Sequence, residues 1–160
     1  MLNWVPENVD LTIPSAARVY DRFLGGCHNF EVDRDFAKRA KEVFPGVDLA
    51  CQANRSFLRR VVDYGRDAGV RQFLDIGSGI PTVGNVHEIA QRVDPTTRVL
   101  YVDNEPVAVA HSELLLEKNP YAAILRTDMC GPSRPRRALQ GSPARGKLLG
   151  HHARHRRRTS

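Results

Sequence analysis

Residues 72–79 read Gln-Phe-Leu-Asp-Ile-Gly-Ser-Gly, a short apolar run that ends in a carboxylate and opens into two glycines one residue apart. A run of this length bounded by glycines predicts a buried strand of a parallel sheet over Val70–Ile76. Gly77 and Gly79 permit positive φ and a close backbone approach at the strand's carboxyl end, where open α/β sheets bind ligands. Asp75 adds a fixed anion there, which suits a ligand carrying an ammonium group and opposes a pyrophosphate. The dinucleotide fingerprint G-x-G-x-x-G also fails, because Thr82 holds the place of the third glycine.

The surrounding pattern alternates between helical and strand periods. Upstream, Ser15 is placed to cap a short helix ending before Gly25-Gly26. Phe36, Ala40, Val43 and Phe44 then mark an amphipathic helix after Asp35, stopped by Pro45-Gly46. A further helix sets Phe57, Leu58, Val61, Val62 and Tyr64 against Arg55, Arg59, Arg60 and Arg66, with Gly69 at its left-handed end. Downstream, Asn85 and Glu88 form a capping-box pattern before Val86, Ile89, Ala90 and Val93. Arg98–Val102 is a second strand. Pro106 then starts a helix with Val107, Ala110, Leu114 and Leu115 on its apolar face, and Tyr121–Leu125 is a third strand. The order predicts an α/β fold, a βαβαβ half of a Rossmann-like, doubly wound parallel sheet with a helical lead-in.

Each strand ends in an acid: Asp75, then Asp103 in Val102-Asp103-Asn104, then Asp128 in Thr127-Asp128-Met129. One such Asp reads as a turn former, whereas three at the carboxyl ends of consecutive strands point to a ligand. Asp103 lies 24 residues after Gly79, close to the ~20 residues at which an acid bonds ribose hydroxyls in nucleotide folds.

These features resemble the S-adenosyl-L-methionine-dependent methyltransferases of the Rossmann-like class. The segments PSAARVYDRFLGG, NFEVDR, ANRSFLRR, QFLDIGSGIPTVGNVHEIAQ and VLYVDNEPVAVAHSELLL are similar to an actinobacterial family of methyltransferase-like proteins. The resemblance implies that Asp75, Gly77 and Gly79 hold the methionine part of S-adenosyl-L-methionine. It implies Asp103, with Asn104 beside it, for the ribose, and Asp128 with the Met129 backbone for the adenine. Tyr20 and Asn29 would belong to a segment folded over the cofactor. The methyl acceptor and the catalytic residues are not indicated.

The element order and the composition together divide the chain into a 1–70 helical cap segment, a 71–130 partial βαβαβ core and a 131–160 basic tail. Residues 1–130 hold 15 Lys+Arg against 18 Asp+Glu, whereas residues 131–160 hold 9 Lys+Arg and no acid. The tail also has no Val, Ile, Phe, Tyr or Trp, so it is expected to be disordered. Its Arg/Pro/Ala/Gly/His-rich content is what out-of-frame translation of a GC-rich gene produces; the rival reading is a genuine basic arm that binds nucleic acid or another acidic partner by counterion release. With no fourth strand in the tail, the first strand is expected to be an open apolar edge, prone to self-association and unable to support much turnover. Cys27, Cys51 and Cys130 form no C-x-x-C pair, which fits reduced thiols in the cytoplasm, and His151, His152 and His155 lack the partners of a metal site. No run is long enough for a membrane span.

Overall fold

The computed structural model describes residues 9–82 and 84–128. The expectations for the 131–160 tail and for Met129 lie outside these residues, as does Cys130. Three helices come first, α1 (Ala16–Phe23), α2 (Glu31–Val43) and α3 (Val47–Asp67). An alternating unit follows: β1 (Gln72–Ile76), α4 (Val86–Ala90), β2 (Arg98–Asp103), α5 (Pro106–Leu116) and β3 (Ala122–Arg126). The strands are parallel in the order β1-β2-β3, as the βαβαβ pattern requires. The register pairs Phe73 with Val99 and Val99 with Ala122, and likewise Asp75 with Tyr101 and Tyr101 with Ile124. One sheet face therefore carries Phe73, Val99, Tyr101, Ala122 and Ile124. These pack with Val62 of α3, Val86, Ile89 and Ala90 of α4 and Leu116 of α5 in a single core cluster. Among the described residues, no helix is long and apolar enough to cross a membrane.

The local signals for helix ends hold at several points. The Asn85 N–H donates to Glu88 Oε2 at 2.8 Å, the return half of the expected capping box. Pro106 is the first residue of α5, and Gly69 takes φ +89° after α3. Ser15 occupies the N-cap position of α1, but its side chain makes no cap bond; its backbone N–H donates to Asp33 Oδ1 at 3.0 Å.

The predicted helix faces need correction. α2 begins at Glu31 and turns Asp33 and Ala37 inward, leaving Phe36, Val43 and Phe44 exposed. In α3, Val62 is buried and Leu58 is partly covered, while Phe57, Val61 and Tyr64 are exposed. α4 stops at Ala90 and leaves Val93 outside. α5 buries Val107, Ala108, Val109, Ser112 and Leu116, with Leu114 and Leu115 exposed. Periodicity finds the apolar side of a helix, but small residues such as Ala37 and Ala108 permit the closest approach, and they rotate the buried line away from the bulkiest side chains.

β1 begins two residues later than predicted and lies at the sheet edge among the described residues. Its Leu74 is 60% and its Ile76 52% exposed. These two side chains alternate with Phe73 and Asp75 and so lie on the sheet face opposite the core cluster.

The helical lead-in is tied to this unit through Arg18. Its guanidinium is buried, donates from Nε to Asp33 Oδ2 at 2.8 Å and from Nη1 to Glu105 Oε1 at 3.1 Å, and reaches the Ile13 carbonyl through Nη2 at 2.7 Å. One side chain thus joins α1, α2 and the start of α5.

Candidate functional site

The carboxyl ends of β1 and β2 open into a cavity of ≈690 Å³ roofed by α1 and α3. Its floor is the glycine turn. Gly77 and Gly79 sit at φ +67° and +68°, and the space where a Cβ would stand is open at both, so the bare backbone faces the cavity. The turn is held by its neighbour strand: Gly77 N–H donates to the Val102 carbonyl at 2.8 Å and Gly79 N–H to Asp103 Oδ2 at 2.7 Å. Asp103 Oδ1 also accepts the Glu105 N–H at 2.9 Å. The carboxylate is nearly buried, yet it lines the cavity and keeps acceptor capacity on both oxygens.

Asp75 and Arg55 bring opposite charges to the same wall. Burial raises the Asp75 carboxyl above the usual aspartate range; Arg55 opposes that rise, and the nearby Asp103 adds to it. The Arg55 Nη2 contacts to Thr82 Oγ1 and Asn85 Oδ1 are both long, at 3.4 Å, and its Nε is buried with no hydrogen-bond partner. Ser78 Oγ, in the turn itself, is buried and unpartnered as well. Buried polar atoms left unsatisfied are uncommon, and these two belong to residues that line the same cavity.

A raised carboxyl pKa has a defined stability consequence. The folded chain binds the Asp75 proton more tightly than the unfolded chain, so ionising Asp75 destabilises the fold as pH rises through the folded pKa. Asp75→Asn is therefore expected to raise the melting temperature at neutral pH. The gain should shrink as pH falls and vanish below the ordinary aspartate pKa, a trend that thermal denaturation across pH 3 to 8 checks.

The structure brings Tyr20, Asp75, Gly77, Gly79, Asp103 and Asn104 together on the cavity wall. Tyr20 is fixed by its hydroxyl, which donates to the Cys51 carbonyl at 3.2 Å and accepts from Asn54 Nδ2 at 3.1 Å. Asn29 is not on this wall; it is buried, and its Nδ2 donates to Asp21 Oδ2 and to the Gly26 carbonyl, both at 2.9 Å. Asp128 follows the end of β3 as an exposed residue and does not line the cavity. Arg55 and Glu105 were missed by the sequence reading. Periodicity groups Arg55 with Arg59, Arg60 and Arg66 opposite the apolar side of its helix, and an arginine 20 residues before a strand-end acid carries no local signal. Glu105 precedes Pro106 at a helix start, a position where a capping acid is favoured. His87 is buried, with Nδ1 2.7 Å from the Tyr101 hydroxyl, a structural role. Among the described residues no cluster of His, Cys, Asp and Glu could hold a metal ion.

Comparison with known proteins identifies the family. Residues 2–146 match the S-adenosyl methyltransferase family. The chain belongs to that family. Its cofactor is accordingly S-adenosyl-L-methionine, and its fold is the Rossmann-like methyltransferase fold. The chain is similar in structure to a candidate methyltransferase from Thermobifida fusca YX, with 42% identity and a TM-score of 0.81 over 91% of this chain and 54% of that one. It is also similar to a DUF574 family protein from Streptomyces avermitilis MA-4680, with 40% identity and a TM-score of 0.71 over 75% of this chain and 47% of the other. The chain thus spans about half the length of these solved structures. No curated protein matches it.

The residues present fit the cofactor. An amino-acid end carries one ammonium and one carboxylate, and the cavity offers Asp75 and an Arg55 whose buried Nε lacks a partner. The glycine turn leaves room for the chain between that end and the ribose.

Proposed function

We propose that this chain binds S-adenosyl-L-methionine across the carboxyl ends of β1 and β2 and presents it for methyl transfer to an acceptor. The observation that carries the reading is the Gly77–Gly79 turn clamped by Asp103, with Asp75 and Arg55 on the same wall. In this reading Asp75 takes the ammonium and Arg55 the carboxylate of the methionine part. Asp103 accepts from the ribose hydroxyls with its remaining lone pairs, and Asn104 stands beside it. Tyr20 forms part of the cover. When bound, the cofactor supplies an electrophilic methyl group on a sulfonium. The protein's part is to fix position and exclude water, which is where most of the rate advantage of such a transfer arises.

Among the described residues β1 is the outer strand of the sheet, and its exposed Leu74 and Ile76 favour self-association. The free thiols of Cys27 and Cys51 support a cytoplasmic setting. Titration calorimetry with S-adenosyl-L-methionine and with NAD tests the assignment. Binding of the former alone is the expected result, and binding of NAD alone would sink it.

A further inference from the structure

The helical lead-in meets α5 along a seam that runs down one side of that helix through Glu105, Ala108 and His111, spaced as neighbours on a helical face. Glu105 takes the Arg18 guanidinium at 3.1 Å. Val107 and Ala108 pack with Ala17 and Phe30, and His111 lies against His28 with ring centroids 4.0 Å apart and planes tilted by 58°. The same α1 carries Ser15, Ala16, Ala17 and Tyr20 over the cofactor cavity, so the seam sets the position of the roof.

The third contact differs in kind from the ion pair and the apolar patch, because each of its rings can take a proton near neutral pH. Two imidazolium rings at that distance repel. One carboxylate is at hand to balance them. Asp21 of α1 is buried; its Oδ2 accepts the His28 N–H and Asn29 Nδ2, both at 2.9 Å, while Oδ1 stands 4.0 Å from His28 Nδ1 with no hydrogen-bond partner. A first positive charge on the pair has Asp21 to face, and a second meets the first. The other charged groups of the seam are directed elsewhere: Arg34 of α2 to the Asn29 carbonyl at 2.9 Å, and Asp33 and Glu105 to Arg18.

Burial holds the His111 ring below the ordinary histidine range, and His28 lowers it further against the pull of Asp21. The folded chain therefore binds that proton less tightly than the unfolded chain does. Stability is full above the ordinary histidine pKa of ~6.5 and is lost as pH falls through it.

We propose that the His28–His111 contact is an acid-released latch on the α1 roof, holding it over the cavity until both rings are charged and then letting it lift. That the roof covers S-adenosyl-L-methionine rests on the reading above; the latch itself rests on the seam.

Hydrogen–deuterium exchange of the full chain at pH about 7.5 and about 5.5, corrected for intrinsic exchange rates, tests the latch. In the wild type, protection of the α1 amides relative to those of β2 is expected to fall about tenfold or more on acidification. His28→Gln and His111→Phe each leave one chargeable ring and should show no such fall. His28 is partly exposed, so His28→Gln decides the matter if His111→Phe fails to fold. Asp75 and the buried His87 are unchanged in both variants, and their response to acid cancels in the comparison. Unchanged α1 protection in the wild type, or an equal loss in the wild type and His28→Gln, overturns the latch. Affinity for S-adenosyl-L-homocysteine, measured by calorimetry at both pH values, should fall with the roof in the wild type and fall less in His28→Gln. An equal fall in both assigns the acid effect to Asp75 and overturns the roof's part in binding. A wild-type chain that binds no S-adenosyl-L-homocysteine at the higher pH overturns the cofactor reading, and α1 exchange still decides the latch.

Discussion

Replacing Arg18 with alanine is expected to cost about 3–5 kcal/mol of unfolding free energy, the largest effect of any single substitution considered, because it strands Asp33 as a buried and uncompensated charge. The Arg18 side chain is 4% and that of Asp33 0% exposed, so neither charge is screened by water. The substitution also frees Glu105, whose Oε2 still caps α5 through the Ala108 N–H at 2.7 Å but whose Oε1 loses its cation. The expected outcome in a urea titration is a lower midpoint. Tyr20 and the cover should detach first, since Arg18 is the side chain that links α1 and α2 to α5. Pairing Arg18→Met with Asp33→Asn removes both charges and should restore much of the loss; a double variant as unstable as Arg18→Ala would show that the cost is packing and not stranded charge.

Asp103→Ala is expected to weaken S-adenosyl-L-homocysteine binding by about 1.5–3 kcal/mol or more, roughly tenfold to over a hundredfold, through loss of charge-assisted bonds to the ribose. The structure adds a second contribution that the strand-end position alone did not suggest. Asp103 also holds the Gly79 and Glu105 N–H groups, so its removal unclamps the glycine turn. The substitution should therefore lower the melting temperature along with the affinity. Asp103→Asn keeps one carbonyl acceptor and should fall between the two in both measurements. Calorimetry beside thermal denaturation separates the effects: a stability loss with unchanged affinity would confine Asp103 to holding the turn.

The sequence by itself determined the order of elements, the parallel sheet and the glycine turn with its two strand-end acids. The physical reason is that these signals are local. A five-residue apolar strand, positive φ at Gly77 and Gly79, the Asn85–Glu88 cap and Pro106 at a helix start each require neighbours within a few positions. Helix faces were less legible, because Ala37 and Ala108 at closest approach outweighed the larger Phe36 and Leu115 in setting which side is buried. What only the tertiary structure decided lies between residues far apart in the chain. Arg18 meets Glu105 across 87 positions, Arg55 of α3 comes to the wall that holds Asp75, and Tyr20 of α1 joins Asn104 on the same cavity wall. Asn29 went the other way, from an expected cover residue to a buried partner of Asp21. Such long-range pairs arise from where packed elements happen to meet, and no periodicity or spacing along the chain encodes that meeting point.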